Sequence, residues 1–184
     1  MKTNKTQIIL DKNGVSKTIA RICDEIAQRN SAKNGLKDLA IVGIRMRGAH
    51  IADRIAVLLK SKYKAEVPVG ILDITLYRDD LTTISAQPIV RSTEIDFDLT
   101  DRKIILVDDV LYTGRTIRAA MDELVDFGRP RNIQLAVLVD RGLRELPIQA
   151  DYSGVSLSTT RRQIVEVRLK ESDGRDEVVV MAGS

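Results

Sequence analysis

Apolar residues early in the chain recur at helical spacing. Val15, Ile19, Ile22 and Ile26 lie four, three and four positions apart, which puts them on one face of a helix over residues 11–29. Lys17, Arg21, Asp24 and Gln28 fall largely on the other side. Leu39-Ala40-Ile41-Val42-Gly43 is an unbroken apolar run, as expected of a strand buried on both faces. Gly48 then opens a second helical pattern with Ile51, Ile55 and Leu58 or Leu59. Residues 67–77 read as a strand. Residues 78–90 lose all periodicity and contain Arg78-Asp79-Asp80, Thr82-Thr83 and Pro88, which predicts a flexible loop or an irregular hairpin.

The second half repeats the alternation. Ile104-Ile105-Leu106-Val107 is another buried strand, and residues 115–127 return to helical spacing through Ile117, Met121 and Leu124. Gly128 and Pro130 stop that helix. Residues 133–139 form a further strand, ended by Asp140-Arg141-Gly142. A C-terminal hairpin is expected over about 164–182, with Ser172-Asp173-Gly174 at its turn. Alternating helices and fully apolar strands predict an α/β fold with a mainly parallel sheet flanked by helices. No repeat or long linker divides residues 1–184, so one domain is expected. In such sheets ligands sit beyond the carboxyl ends of the strands. That rule selects the loops after Val42, Val107 and Val139.

Composition narrows the classes. No apolar run approaches the roughly 20 residues of a membrane helix, and Ile8-Ile9-Leu10 is too short for a signal-peptide core. A cytoplasmic protein with no membrane partner is expected. The single cysteine, Cys23, excludes an internal disulfide and reads as a buried structural thiol. A net charge of +3 suits an anionic ligand, while 3% aromatics and no tryptophan leave few base-stacking platforms.

The chemistry concentrates at residues 104–116. A buried strand leads to Asp108 and Asp109, then to Val110, Leu111 and Tyr112, then to Thr113-Gly114-Arg115-Thr116 at a helix start. Free amides at a helix N-terminus bind anions. Thr113 and Thr116 add hydroxyls, and Gly114 permits close backbone approach. The two carboxylates would repel a phosphate but accept hydrogen bonds from sugar hydroxyls. A ribose 5-phosphate meets both demands. Neither a nucleoside-triphosphate P-loop nor a dinucleotide Gly-x-Gly-x-x-Gly fingerprint is present. The bland alternative has the aspartates merely capping the turn.

Residues 107–116 resemble the 5-phosphoribosyl-1-pyrophosphate (PRPP) motif of type I phosphoribosyltransferases. Gly43-Ile44-Arg45-Met46-Arg47-Gly48 resembles their pyrophosphate loop. Asp73-Ile74-Thr75-Leu76-Tyr77-Arg78-Asp79-Asp80 resembles the strand and flexible loop of the PyrR family. The run from Gln134 to Gly142, with Arg144-Glu145-Leu146-Pro147-Ile148 and Ala150-Asp151-Tyr152, resembles the base-side region of that family. The detailed likeness covers residues 43–154.

The resemblance implies a type I phosphoribosyltransferase fold with a small hood and a reaction of uracil with PRPP to UMP and diphosphate. It also implies uridine-nucleotide-dependent (UMP, UTP) binding of a pyrimidine-operon mRNA leader, and a homo-oligomer. On this basis Asp108, Asp109 and Arg47 are the expected catalytic residues. Arg45, Met46, Arg47 and residues 104–116 form the PRPP site, and Mg²⁺ arrives with PRPP without direct protein ligands. Arg78 and Asp79 lie on the closing loop, where Arg78 is read either as a pyrophosphate contact or as a solvated arginine. Arg141 and Tyr152 are placed on the base side, although a tyrosine packed at a strand end fits Tyr152 as well. Lys17, Arg21, Arg144 and Arg161 are candidate RNA contacts. The family often carries histidine at the position of Leu143, on its RNA-facing side, and threonine at that of Met46. An attenuator with little catalysis, or a transferase without an RNA role, remains the alternative. His50 reads as structural.

Overall fold

The carboxylate of Asp11 accepts the amide of Gly14 at 2.7 Å, and this N-cap starts the first helix. The computed structural model describes residues 6–31, 36–74 and 93–183. In chain order the elements are β1 (Gln7–Leu10), α1 (Lys12–Asn30), β2 (Leu39–Ile44), α2 (Arg47–Tyr63), β3 (Val69–Leu72) and β4 (Lys103–Leu111). Then follow α3 (Arg115–Phe127), β5 (Asn132–Asp140), β6 (Tyr152–Ser156), β7 (Gln163–Arg168), α4 (Lys170–Asp173) and β8 (Glu177–Ala182). Five strands form a parallel sheet in the order β3-β2-β4-β5-β6. The other three, β1-β8-β7, form a small antiparallel sheet.

Strand pleating divides the core into two layers. Leu39 and Ile41 of β2, Ile105 and Val107 of β4, and Leu138 of β5 pack against α1 and α2. Their alternates, Ala40, Val42, Ile104, Leu106 and Val137, pack against Ile117, Ala120 and Leu124 of α3. All six residues of β2 are buried, so its sequence shows no alternation. The small sheet is tied to α2. Val167, Leu169 and Val178 join the α1–α2 core layer. Arg54 of α2 pairs with Glu171 at 2.6 Å and Asp176 at 2.7 Å. Cys23 is fully buried, and burial pushes its thiol pKa up to about 11.

The architecture agrees with the sequence expectation, with specific differences. Strand β4 runs on through Asp108, Asp109 and Leu111, paired in register with β5 as far as Leu111 and Asp140, where a loop was expected after Val107. Only residues 69–72 of the expected 67–77 strand are β-structure among the described residues. β1 and β6 were not anticipated. Each is short, and β1 is half-exposed. The expected loop 78–90, with Arg78 and Asp79, lies outside the described residues. Among the described residues no helix is long and apolar enough to cross a membrane.

Tyr152 corrects a base-side assignment. It is 2% exposed and begins β6, paired with Ala136 in the middle of β5 rather than at the carboxyl edge of the sheet. Its hydroxyl donates to Gln134 Oε1 at 2.6 Å and accepts from Asn30 Nδ2 at 3.1 Å. Gln134 returns a bond to Asn30 Oδ1 at 3.2 Å. This closed polar triad fastens α1 to the sheet, because a buried amide must find partners. Tyr152→Phe should remove about 1–3 kcal/mol of stability, a fall in melting temperature on the order of 5 °C. Thermal denaturation checks this, and an unchanged melting temperature would show that the triad contributes nothing.

Candidate active site

The carboxyl ends of β2, β3 and β4 enclose a cavity of about 240 Å³ lined by Ile44, Arg45, Met46, Arg47, Asp73, Ile74, Asp108, Asp109, Val110 and Thr116. Glycine makes this convergence possible. A Cβ on Gly48 would lie 2.4 Å from the Val107 carbonyl oxygen, and one on Gly43 would lie 2.5 Å from the Ala49 Cα. Neither position tolerates a side chain. The start of α2 therefore rests directly on β4 at Val107, just before the acidic pair, and the turn at Arg45 and Met46 stands beside the two aspartates. The peptide bond between Arg45 and Met46 is cis.

The aspartates belong to the strand rather than to a loop. The Asp109 amide donates to Asp108 Oδ1 and the Val110 amide to Asp109 Oδ1, both at 2.9 Å. Asp108 is 7% exposed. Burial raises the Asp109 pKa above the ordinary aspartate value, while the hydrogen bond with Asp108 and the charge of Arg47 pull the other way.

Both arginines of the turn are held by acids. Arg47 donates to Asp173 through Nε at 3.2 Å and Nη2 at 2.9 Å. Asp173 also accepts the Leu169 amide at 2.9 Å and the Ser172 hydroxyl at 2.8 Å. The bond from Arg47 holds the Asp173 carboxyl well below the usual carboxylate range. Arg45 donates to Glu94 at 2.9 Å and lies 3.8 Å from Asp73. Glu94 is fixed in turn by two backbone bonds of 2.8 Å with Ile71.

Gly114 adopts φ +93° and precedes α3, which has no side-chain cap. The amides of Thr116 and Ile117 in the first turn have no intrahelical partner by geometry. The Thr113 hydroxyl accepts the Arg115 amide at 3.3 Å, and Arg115 Nε pairs with Glu145 at 2.8 Å. A carboxylate pair, two arginines and an uncapped helix start thus share one cleft. That set suits a ligand with hydroxyls between two anionic groups.

Other expected site residues lie elsewhere. Ile104, Ile105, Leu106, Val107 and Leu111 are at most 1% exposed. They pack as core and only carry the aspartates, because the strand is covered on both faces. Arg141 is 7% exposed; it donates to the carbonyls of Thr160 at 3.1 Å and Gln163 at 2.8 Å, with its guanidinium 4.2 Å above the Tyr112 ring. Arg144 was expected on an RNA-facing surface, yet its guanidinium is turned inward onto Asp140 and three carbonyls near 2.9–3.1 Å. Lys17 and Arg161 are exposed. Arg21 is also exposed, pairing with Glu25 and donating to the carbonyls of Ser153 and Gly154. His50 is half-buried and absent from the cavity lining. Sequence reasoning missed Asp73, Glu94 and Asp173 as site residues. Asp173 was legible only as part of a hairpin turn.

Comparison with known proteins places this geometry. The family pattern for the phosphoribosyl transferase domain matches residues 14–172. A protein of Pelotomaculum thermopropionicum named "Bifunctional protein PyrR" is 54% identical over 181 residues, covering 98% of both chains. One of the same name from Deinococcus radiodurans is 55% identical over 170 residues, covering 92% of this chain and 91% of its own. Among solved structures, a hypoxanthine phosphoribosyltransferase of Trypanosoma cruzi superposes with a TM-score of 0.73 at 15% identity, covering 97% of each chain. One from Staphylococcus aureus gives 0.69 at 14% identity, over 96% of this chain and 92% of its own. At that identity the two structures speak for the fold alone, the type I phosphoribosyltransferase fold.

The raised pKa of Asp109 has a stability consequence of defined sign. A folded pKa above the unfolded one means that the ionised carboxylate opposes folding. The favourable contribution is full below the unfolded pKa, about 3.9, and is lost as pH rises through the folded value. Asp109→Asn should therefore raise the melting temperature at pH 7, on the order of 3 °C. The gain should vanish near pH 3. Melting curves at the two pH values test this, and a variant that melts lower at pH 7 would refute it.

Proposed function

The chain belongs to the phosphoribosyl transferase domain family and, within it, to the PyrR proteins, and from that premise we propose that it converts uracil and PRPP to UMP and pyrophosphate and controls pyrimidine genes. The observation that carries the enzymatic reading is the single cavity shared by Arg45, Arg47, Asp108, Asp109 and Thr116. The uncapped start of α3 and the Thr116 hydroxyl receive the 5-phosphate. Asp108 and Asp109 accept hydrogen bonds from the ribose hydroxyls. Arg45 and Arg47 face the pyrophosphate.

The reaction is displacement at ribose C1. A base nitrogen forms the new bond as the C1–O bond to pyrophosphate breaks, and the bonding electrons leave with pyrophosphate. The base nitrogen gives up its proton to the departing pyrophosphate anion or to water. Positive charge develops on the ribose and negative charge on the leaving group, so positioning and fixed charges do most of the work. The buried Asp109 carboxylate suits the cationic ring, and Arg47 suits the departing anion. Mg²⁺ fits as an ion carried on PRPP, because it retains waters and binds through substrate phosphates, and the aspartates can accept hydrogen bonds from those waters. When bound it neutralises pyrophosphate charge.

Regulation rests on family membership, with uridine nucleotides held in the same cavity as the signal and a pyrimidine-operon mRNA leader as partner. The exposed Lys17, Arg21 and Arg161 remain its candidate contacts. A homo-oligomer belongs to this reading too.

Labelled uracil should appear in UMP when PRPP and Mg²⁺ are supplied. Turnover of a purine with none of uracil would remove the assignment. Arg47→Ala should lower kcat/KM roughly 10- to 100-fold, because a hydrogen bond to a charged group contributes about 1.5–3 kcal/mol. Binding of the mRNA leader, measured at fixed salt with and without UMP, should exceed binding of scrambled RNA. Equal binding would reject the regulatory half.

A further inference from the structure

We propose that Arg144 is a positioning residue for the phosphate-binding turn at 112–116, holding the Tyr112 carbonyl away from the ligand; the inference rests on the functional reading above. Three consecutive carbonyls of β4 and the turn are taken up by one segment, 141–146. Leu111 O accepts the Arg141 amide at 3.1 Å. Tyr112 O accepts Arg144 Nη1 at 2.9 Å. Thr113 O accepts the amides of Glu145 at 2.9 Å and Leu146 at 3.1 Å.

In a trans peptide the C=O and the following N–H point in opposite directions. With the carbonyls of Tyr112 and Thr113 drawn to the 141–146 segment, the amides of Thr113 and Gly114 face the other side of the turn. That side then presents donors to an anion, and the acceptors that would repel it are occupied elsewhere.

Arg144 supplies the only side chain in this set. Its own place is over-determined. Nε donates to Ile148 O at 2.9 Å, Nη1 also to Gly142 O at 3.1 Å, and Nη2 to Asp140 Oδ2. Asp140 is fixed by accepting the Gly142 amide at 2.9 Å. The arginine side chain is 22% exposed, so little of it faces a macromolecular partner. Beneath the turn, Leu146 and Ile148 would lie 3.4 Å from a Cβ on Gly114. The planar guanidinium reaches carbonyls and a carboxylate in several directions at once, and a lysine ammonium cannot reproduce that fork.

The test is calorimetric binding of ribose 5-phosphate and of inorganic pyrophosphate to the full chain, as wild type, Arg144→Gln and Arg144→Lys. Ribose 5-phosphate reports the turn, whereas pyrophosphate reports the separate arginine loop. Arg144→Gln should weaken ribose 5-phosphate about 10-fold or more, with pyrophosphate affinity within about 2-fold, and Arg144→Lys should fall between. Should the glutamine variant fail to fold, the lysine variant carries the same comparison. Unchanged ribose 5-phosphate affinity overturns the inference, and so does equal weakening of both ligands, which marks a general loss of structure. Loss of mRNA-leader binding with ribose 5-phosphate affinity intact would return Arg144 to an RNA role. Wild-type protein that binds no ribose 5-phosphate removes the functional reading itself, and this inference with it.

Discussion

The site depends on a contact between backbones. Gly48, at the start of α2, sits so close to the middle of β4 that a Cβ would stand 2.4 Å from the Val107 carbonyl oxygen. This approach sets the distance between the arginines of the 45–47 turn and the aspartates at 108 and 109. Two loops with opposite chemistry thereby come to share one cleft. The same requirement explains Gly43, whose missing side chain leaves room for Ala49. Both glycines are demanded by space, since neither has a positive φ.

Charge is organised around that contact. Asp109 is buried at an energetic disadvantage, visible in its raised pKa, and Arg47 is the cation that relieves part of it. Arg47 is in turn held by Asp173 from the small sheet. The network therefore spans three parts of the fold. It carries an arginine whose acidic partner a pyrophosphate would have to rival. Arg54, with Glu171 and Asp176, fastens the same turn of the small sheet to α2. Partly buried, bidentate pairs of this kind hold geometry better than exposed ones.

Much of the fold was legible along the chain. Val15, Ile19, Ile22 and Ile26 marked α1 by period, and Ile117 with Leu124 marked α3, because each helix buries one stripe. β2 and the first half of β4 announced themselves as continuous apolar runs. β1 and β6 did not, since short strands are recruited by pairing with neighbours distant in sequence. β4 was underestimated for the same reason. Asp108 and Asp109 look like loop residues in sequence but stay in the ladder because β5 continues beside them.

The sequence alone determined the local chemistry, namely the acidic pair, the Thr-Gly-Arg-Thr turn and the two arginines near residue 46. Each is local in the chain, and the chemistry it offers follows from residue type and spacing, while the part proposed for the arginines came from the family resemblance. Only the tertiary structure decided which distant groups complete the site. It brought Asp173 to Arg47 and Glu94 to Arg45, turned Arg144 inward onto the turn that follows β4, and closed Tyr152 into the core with Asn30 and Gln134. Side-chain direction and partner depend on packing between elements separated by up to more than a hundred residues, and no local pattern encodes that.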